Sequence, residues 1–163
     1  MDSNRLILLK TDLRGQMNSI TNIHLKLQGR ADRFNSADEP LLESIGYQIH
    51  NLYGATEDLL KVVAHYFENN VGDASQWHSA LLQRMSLEVP GIRPALLSSQ
   101  SYTILNSLRG FRHFFRHAYG SNIEWEQLQI NLNKALTLKA LLEEDIQQFL
   151  LKFETSSPSS LDR

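Results

Sequence analysis

Apolar residues recur at three- and four-residue intervals along nearly the whole chain, and no two segments read as paired strands. That periodicity confines the sequence to an all-α bundle of about five helices, two of them long and N-terminal. The first stripe runs from Arg5 to about Phe34 through Leu6, Leu9, Leu13, Met17, Ile20, Ile23 and Leu27. A second runs from about Leu41 to Phe67 through Leu42, Ile45, Ile49, Leu52, Leu59, Val63 and Tyr66 or Phe67. Between them Asn35-Ser36-Ala37-Asp38-Glu39-Pro40 breaks the pattern, with Asp38 as N-cap and Pro40 tolerated in a first turn. Gly46 and Gly54 sit inside the second helix at a propensity cost and read as points of close helix packing.

The remainder divides in the same way. A turn at Asn69-Asn70-Val71-Gly72-Asp73 precedes a shorter helix from about Ala74 to Leu87 that carries Trp77, Leu81 and Met85. Pro90-Gly91-Ile92-Arg93-Pro94 cannot continue a helix and reads as a structured connection. Ser98 or Ser99 caps a fourth helix to Tyr119, where Gly120 suits the left-handed C′ position. Ser121-Asn122-Ile123-Glu124 matches a capping box for a fifth helix. That helix holds Trp125, Leu128, Leu132, Leu136, Leu142, Ile146 and Phe149 and ends near Phe153. We therefore expect one helical domain over residues 1–154 and a disordered tail over 155–163.

Composition removes whole classes of function. With no cysteine, disulfide scaffolds, thiolate zinc sites, iron–sulfur clusters and thiol nucleophiles are excluded. Sixteen Lys+Arg against eighteen Asp+Glu give a formal charge of −2, which is not the footprint of a bulk nucleic-acid binder. The charge is unevenly spread, however. Between Glu88 and Glu124 there is no acid, while Arg93, Arg109, Arg112 and Arg116 all fall there. No apolar run approaches the roughly 18–20 residues of a membrane span, and Met1-Asp2-Ser3-Asn4 is not a basic signal-peptide start. The expected location is cytoplasmic, with no membrane partner.

The fourth helix carries the functional signal. At about 100° per residue, Ile104, Leu108, Phe111, Phe115 and Ala118 form a core stripe within roughly 80°. Across from it stand Arg109, Arg112, Arg116, His113, His117 and Tyr119, with no acid on that face. Surface faces usually mix signs, because like charges at i,i+4 destabilise a helix, and Arg112 and Arg116 have that spacing. Arginine grips phosphate bidentately and histidine moves protons near neutrality. Such a face suits RNA cleavage. His113 and His117 also form a His-x3-His pair that could hold zinc, but a usable site needs a third ligand, and arginines surround the pair. No metal and no cofactor is expected.

The segment Phe111-Arg112-His113-Phe114-Phe115-Arg116-His117-Ala118-Tyr119 resembles the Arg-x4-His-x-Tyr signature of HEPN-domain toxins, specifically the HepT-like group. In the same order, Ile49-His50-Asn51-Leu52-Tyr53-Gly54 through Glu57, Trp77-His78 through Leu81-Leu82, and Ile92-Arg93-Pro94 resemble blocks of HepT-like chains. The likeness covers about residues 1–153. It implies a metal-independent ribonuclease toxin of a type VII-like toxin–antitoxin system, acting as a homodimer on tRNA or mRNA. Arg112 and His117 would be the catalytic pair, His113 an auxiliary catalytic polar group, and Arg109 and Arg116 substrate-binding. Tyr119 would be the tyrosine that an MntA-type nucleotidyltransferase antitoxin silences by AMPylation. The competing reading is a non-catalytic HEPN module that binds RNA or nucleotide, or scaffolds a partner transferase.

Other polar residues get blander readings. His50, Tyr53 and Glu57 share one side of the second helix. Glu57 could orient an active-site arginine; the reading we favour is a buried polar contact between bundle helices. Trp77 and Trp125 read as core or interface anchors. His24, His65 and His78 read as single helix-face histidines without partners.

Overall fold

The computed structural model describes residues 1–68, 77–117 and 124–155, apart from the side chains of Trp77, Phe114, Arg116, His117 and Phe153. Among the described residues there are five helices and no strands. They are α1 (Ser3–Ala31), α2 (Glu39–Phe67), α3 (Trp77–Met85), α4 (Ser99–His117) and α5 (Trp125–Thr155). None is long and apolar enough to cross a membrane.

Local chemistry sets the ends. The Asp2 side chain accepts from the Arg5 N–H at 2.8 Å and opens α1. Asp38 does the same for α2, accepting from the Leu41 N–H at 3.1 Å with Pro40 in the first turn. Ser98, not Ser99, caps α4 by accepting from the Ser101 N–H at 3.2 Å. Asp145 on α5 then accepts from both the backbone N–H and the hydroxyl of Ser98. The start of the fourth helix is thereby tied to the fifth.

Helix α2 is the hub, packing against each of the other four. Its buried face includes Leu42, Ile45, Ile49, Leu52, Leu59, Leu60 and Val63. Leu9, Leu13, Ile20 and Leu27 of α1 enter the same core, as do Leu128, Leu132, Leu138, Leu142 and Phe149 of α5. On α4 the fully buried apolar positions are Leu105 and Leu108, with Phe111 beside them; Ile104 and Phe115 are half-buried. The stripe thus sits slightly around from its expected position. Gly46 is a true close approach: a Cβ there would lie 2.7 Å from the Phe115 ring. Gly54 is not, since a Cβ there would meet nothing within 4 Å.

The connection from α3 to α4 is as structured as its prolines suggest, but Arg93 has a different role from the one its charge implied. Gly91 takes φ +77°, and an isolated bridge pairs Val89 with Arg93. The Arg93 side chain is fully buried and bonds the Glu68 carboxylate through Nε at 3.1 Å and Nη2 at 2.7 Å. It also donates to the carbonyls of Arg84, Leu87 and Pro94. Arg93 is a structural rivet, not part of a basic surface. Trp125 is 41% exposed and so is no core anchor of this chain. The turn at 69–73, Gly120, the capping box before Glu124 and the tail beyond Thr155 lie outside the described residues. Thr155 itself closes α5.

Candidate functional site

Arg112 stands at the edge of the α4 core stripe, so its side chain leans toward α2. There it meets the acid that its own helix lacks. Arg112 Nη1 donates to Glu57 Oε1 at 3.0 Å, and the guanidinium carbon lies 5.4 Å from the centre of the Tyr53 ring, within cation–π range. Tyr53 and Glu57 are one turn apart on α2, the spacing that lets the Tyr53 hydroxyl donate to Glu57 Oε2 at 3.2 Å. His78 Nδ1 of α3 meets the same oxygen.

Burial makes this cluster consequential. The Glu57 side chain is 4% exposed, so its charge needs these partners to be tolerable. Burial first, then the Glu57 charge and hydrogen bond, push the Tyr53 phenol well above its ordinary range, against the pull of Arg112 and Arg109. Tyr53 therefore stays a proton donor to the carboxylate near neutrality. The Arg112 side chain is 20% exposed, and its Nε is buried without an acceptor among the described residues. A guanidinium fixed along one edge and reaching the surface with the rest is prepared for an anionic ligand.

The other expected site residues divide. Arg109 is half-buried and bonds Asn106 Oδ1 through Nε and Nη2 on its own helix. His113 is exposed on α4. Arg116 and His117 lie in the last turn of α4, their side chains outside the described residues, and Tyr119 is outside altogether. Glu57 is buried between helices as the favoured reading has it, and its pairing with Arg112, beside Tyr53 and His78, is also the contact the alternative reading described. His78 reverses its expectation: it has a partner, and that partner is Glu57. The helical wheel of α3 could not show this, although Trp77-His78 formed part of the ordered likeness. Among the described residues no cluster of three or more His, Asp or Glu side chains could hold a metal ion.

A family model described as HepT-like protein matches residues 44–153, from the first turns of α2 through most of α5. No curated protein and no solved structure matches the chain.

Proposed function

This chain belongs to the HepT-like family, a HEPN-type group of the toxin–antitoxin kind, and from that membership we propose that it is a ribonuclease toxin. In this reading it cleaves tRNA or mRNA without a metal ion, through Arg112 and His117 of the Arg-x4-His motif. The observation that carries the reading is the clamp on Arg112: a buried carboxylate and an aromatic face orient its guanidinium at the surface. Arginine so held supplies charge stabilisation to a phosphorane-like transition state. His117 moves a proton to or from the reacting oxygens, and His113 assists as a polar neighbour. Arg109 and Arg116 add phosphate contacts along the strand.

Two copies of α4 facing one another across a two-fold axis would double the set and make a cleft. The partner in this reading is an MntA-type nucleotidyltransferase that adds AMP to Tyr119. A phosphodiester there would compete for the arginines, and the nucleoside would obstruct RNA entry.

The experiment is cleavage of total RNA by the purified chain, with Arg112→Lys and His117→Ala beside it. Loss of about 100-fold or more in either variant is expected for a group acting on the transition state. Wild-type rates in both would overturn the catalytic assignment.

A further inference from the structure

A second site lies on the other flank of the same helix. Between α4 and α5 a cavity of about 350 Å³ is floored by Phe111 and bordered by Gly110, Ile130, Asn131, Lys134 and Glu124. Its size is that of a small-ligand pocket. Three features of it have no role in the fold.

The first is Asn131, which is 7% exposed. Its amide nitrogen turns back to donate to the Gln127 carbonyl at 2.9 Å, and that bond fixes which end is oxygen. Oδ1 is buried with no donor among the described residues. A buried amide oxygen without a donor is a place where a ligand donor is missing.

The second is Gly110. It sits mid-helix, where glycine is a poor choice, yet a Cβ there would meet nothing within 4 Å. No packing among the described residues requires it. A flat body approaching the α4 backbone from the cavity would.

The third is the charge pattern. Lys134 is one turn from Asn131 on α5 and spends one proton on Ser107 Oγ at 2.7 Å, leaving two to donate. Glu124 on the rim offsets its charge. An acceptor and a cationic donor side by side, over an apolar floor and with an acid at the rim, suit a neutral ring better than a phosphate.

We infer that this cavity is a nucleobase subsite, in which an N–H of the base edge donates to Asn131 Oδ1 and the acceptor beside it accepts from Lys134. All four bases carry such a pair, the amine and ring nitrogen of adenine and cytosine or the ring N–H and carbonyl of uracil and guanine, so the subsite recognises a base edge rather than one base. His113, exposed and three residues from Gly110, stands one turn along α4 from the pocket. The subsite therefore holds a base on the α5 side of the motif helix, one turn from His113, while Arg112 leans to the α2 side, and its place in cleavage rests on the ribonuclease reading above.

The test separates the two. Binding of AMP, UMP and the base-free ribose 5-phosphate to the full chain is measured by calorimetry, and cleavage of a random RNA pool is followed beside it. Wild type should bind AMP and UMP about ten-fold tighter than ribose 5-phosphate, the worth of one good hydrogen-bonded pair. Asn131→Leu should erase that difference. Gly110→Leu, whose side chain enters open space, should abolish binding while the helix stays folded by circular dichroism. Base-dependent binding without any RNA cleavage would sustain the subsite and overturn the ribonuclease reading. Cleavage by Gly110→Leu at the wild-type rate would overturn the subsite's place in cleavage and leave that reading intact. Equal binding of the three compounds overturns the subsite, as does a change of oligomeric state in Gly110→Leu by sedimentation, which would make the cavity an interface between copies.

Discussion

Arg112 and Glu57, 55 positions apart in sequence, meet at 3.0 Å across the α2–α4 interface. The pair joins the motif helix to the hub of the bundle. Its energetic character is asymmetric: the carboxylate is buried and the guanidinium reaches water. Removing the arginine strands a buried charge, whereas removing the carboxylate frees a surface arginine.

That asymmetry separates position from chemistry. Glu57→Gln keeps the shape of the site but not its charge, and we expect a fall in kcat of about 10- to 100-fold with KM little changed, since small misplacements of a catalytic group cost that much. Glu57→Asp should recover part of it. Arg112→Ala should also lower stability, by about 1–3 kcal/mol for an orphaned buried acceptor, so Arg112→Lys is the cleaner probe. Steady-state kinetics with thermal melts on each variant check this. A Glu57→Gln protein with wild-type kcat would show that the clamp is structural only.

The glycines give opposite signs. Gly46→Ala pushes a methyl to 2.7 Å from the Phe115 ring, itself stacked at 6.0 Å on Phe111. Overpacking of this kind costs about 1–3 kcal/mol, more than the gain of up to about 1 kcal/mol in helix propensity. Gly54→Ala and Gly110→Ala meet open space, so each should gain that propensity and melt higher. Urea unfolding of the three variants is the measurement; a stabilised Gly46→Ala would contradict the close approach.

These residues also show what the sequence carries and what it does not. The helix spans, the Asp38 cap and most of the α1, α2 and α5 core were legible because they depend on spacing within one segment. Gly46 and Gly54 looked alike for the same reason: only the partner helix distinguishes them. The acid-free face of α4 was real as sequence, but the bundle supplied Glu57 from elsewhere and consumed Arg93 in a buried pair with Glu68. His78 looked solitary because α3 alone offers it no acid. Periodicity reports which side of a helix turns inward; it does not report what waits there.

Acid should weaken the fold through His24. This residue is buried in α1, and its Nδ1 has no partner among the described residues. Burial first, then the nearby Lys139, lower its pKa below the usual 6.5, against a smaller opposing pull from Glu143. The folded state therefore favours the neutral ring. Its contribution to stability is present above pH 6.5 and is lost as pH falls through the lowered folded value, because the unfolded chain takes up the proton first. His24→Leu removes the titration and should flatten the stability profile between about pH 7 and pH 5. Parallel urea titrations across that range test it, and an unchanged slope would place the acid sensitivity in another group.

Chelation discriminates between the two chemistries open to the motif helix. His113 and His117 have the His-x3-His spacing that can hold zinc on a helix. A catalytic zinc site takes a third protein ligand, and the acid nearest the motif arginine is Glu57. Glu57 is already engaged on both oxygens, by Arg112 on one and by Tyr53 and His78 on the other. A cation drawing on it would have to break the Arg112 pair, with the Arg109 charge also near the cluster. With arginine supplying the charge stabilisation that a metal otherwise provides, cleavage should persist in excess EDTA and gain nothing from added zinc or magnesium. The assay is a cleavage time course with chelator, then with each metal restored. Loss in EDTA with recovery on zinc would move the chemistry from Arg112 to the histidine pair, and His113→Ala would then be as damaging as His117→Ala.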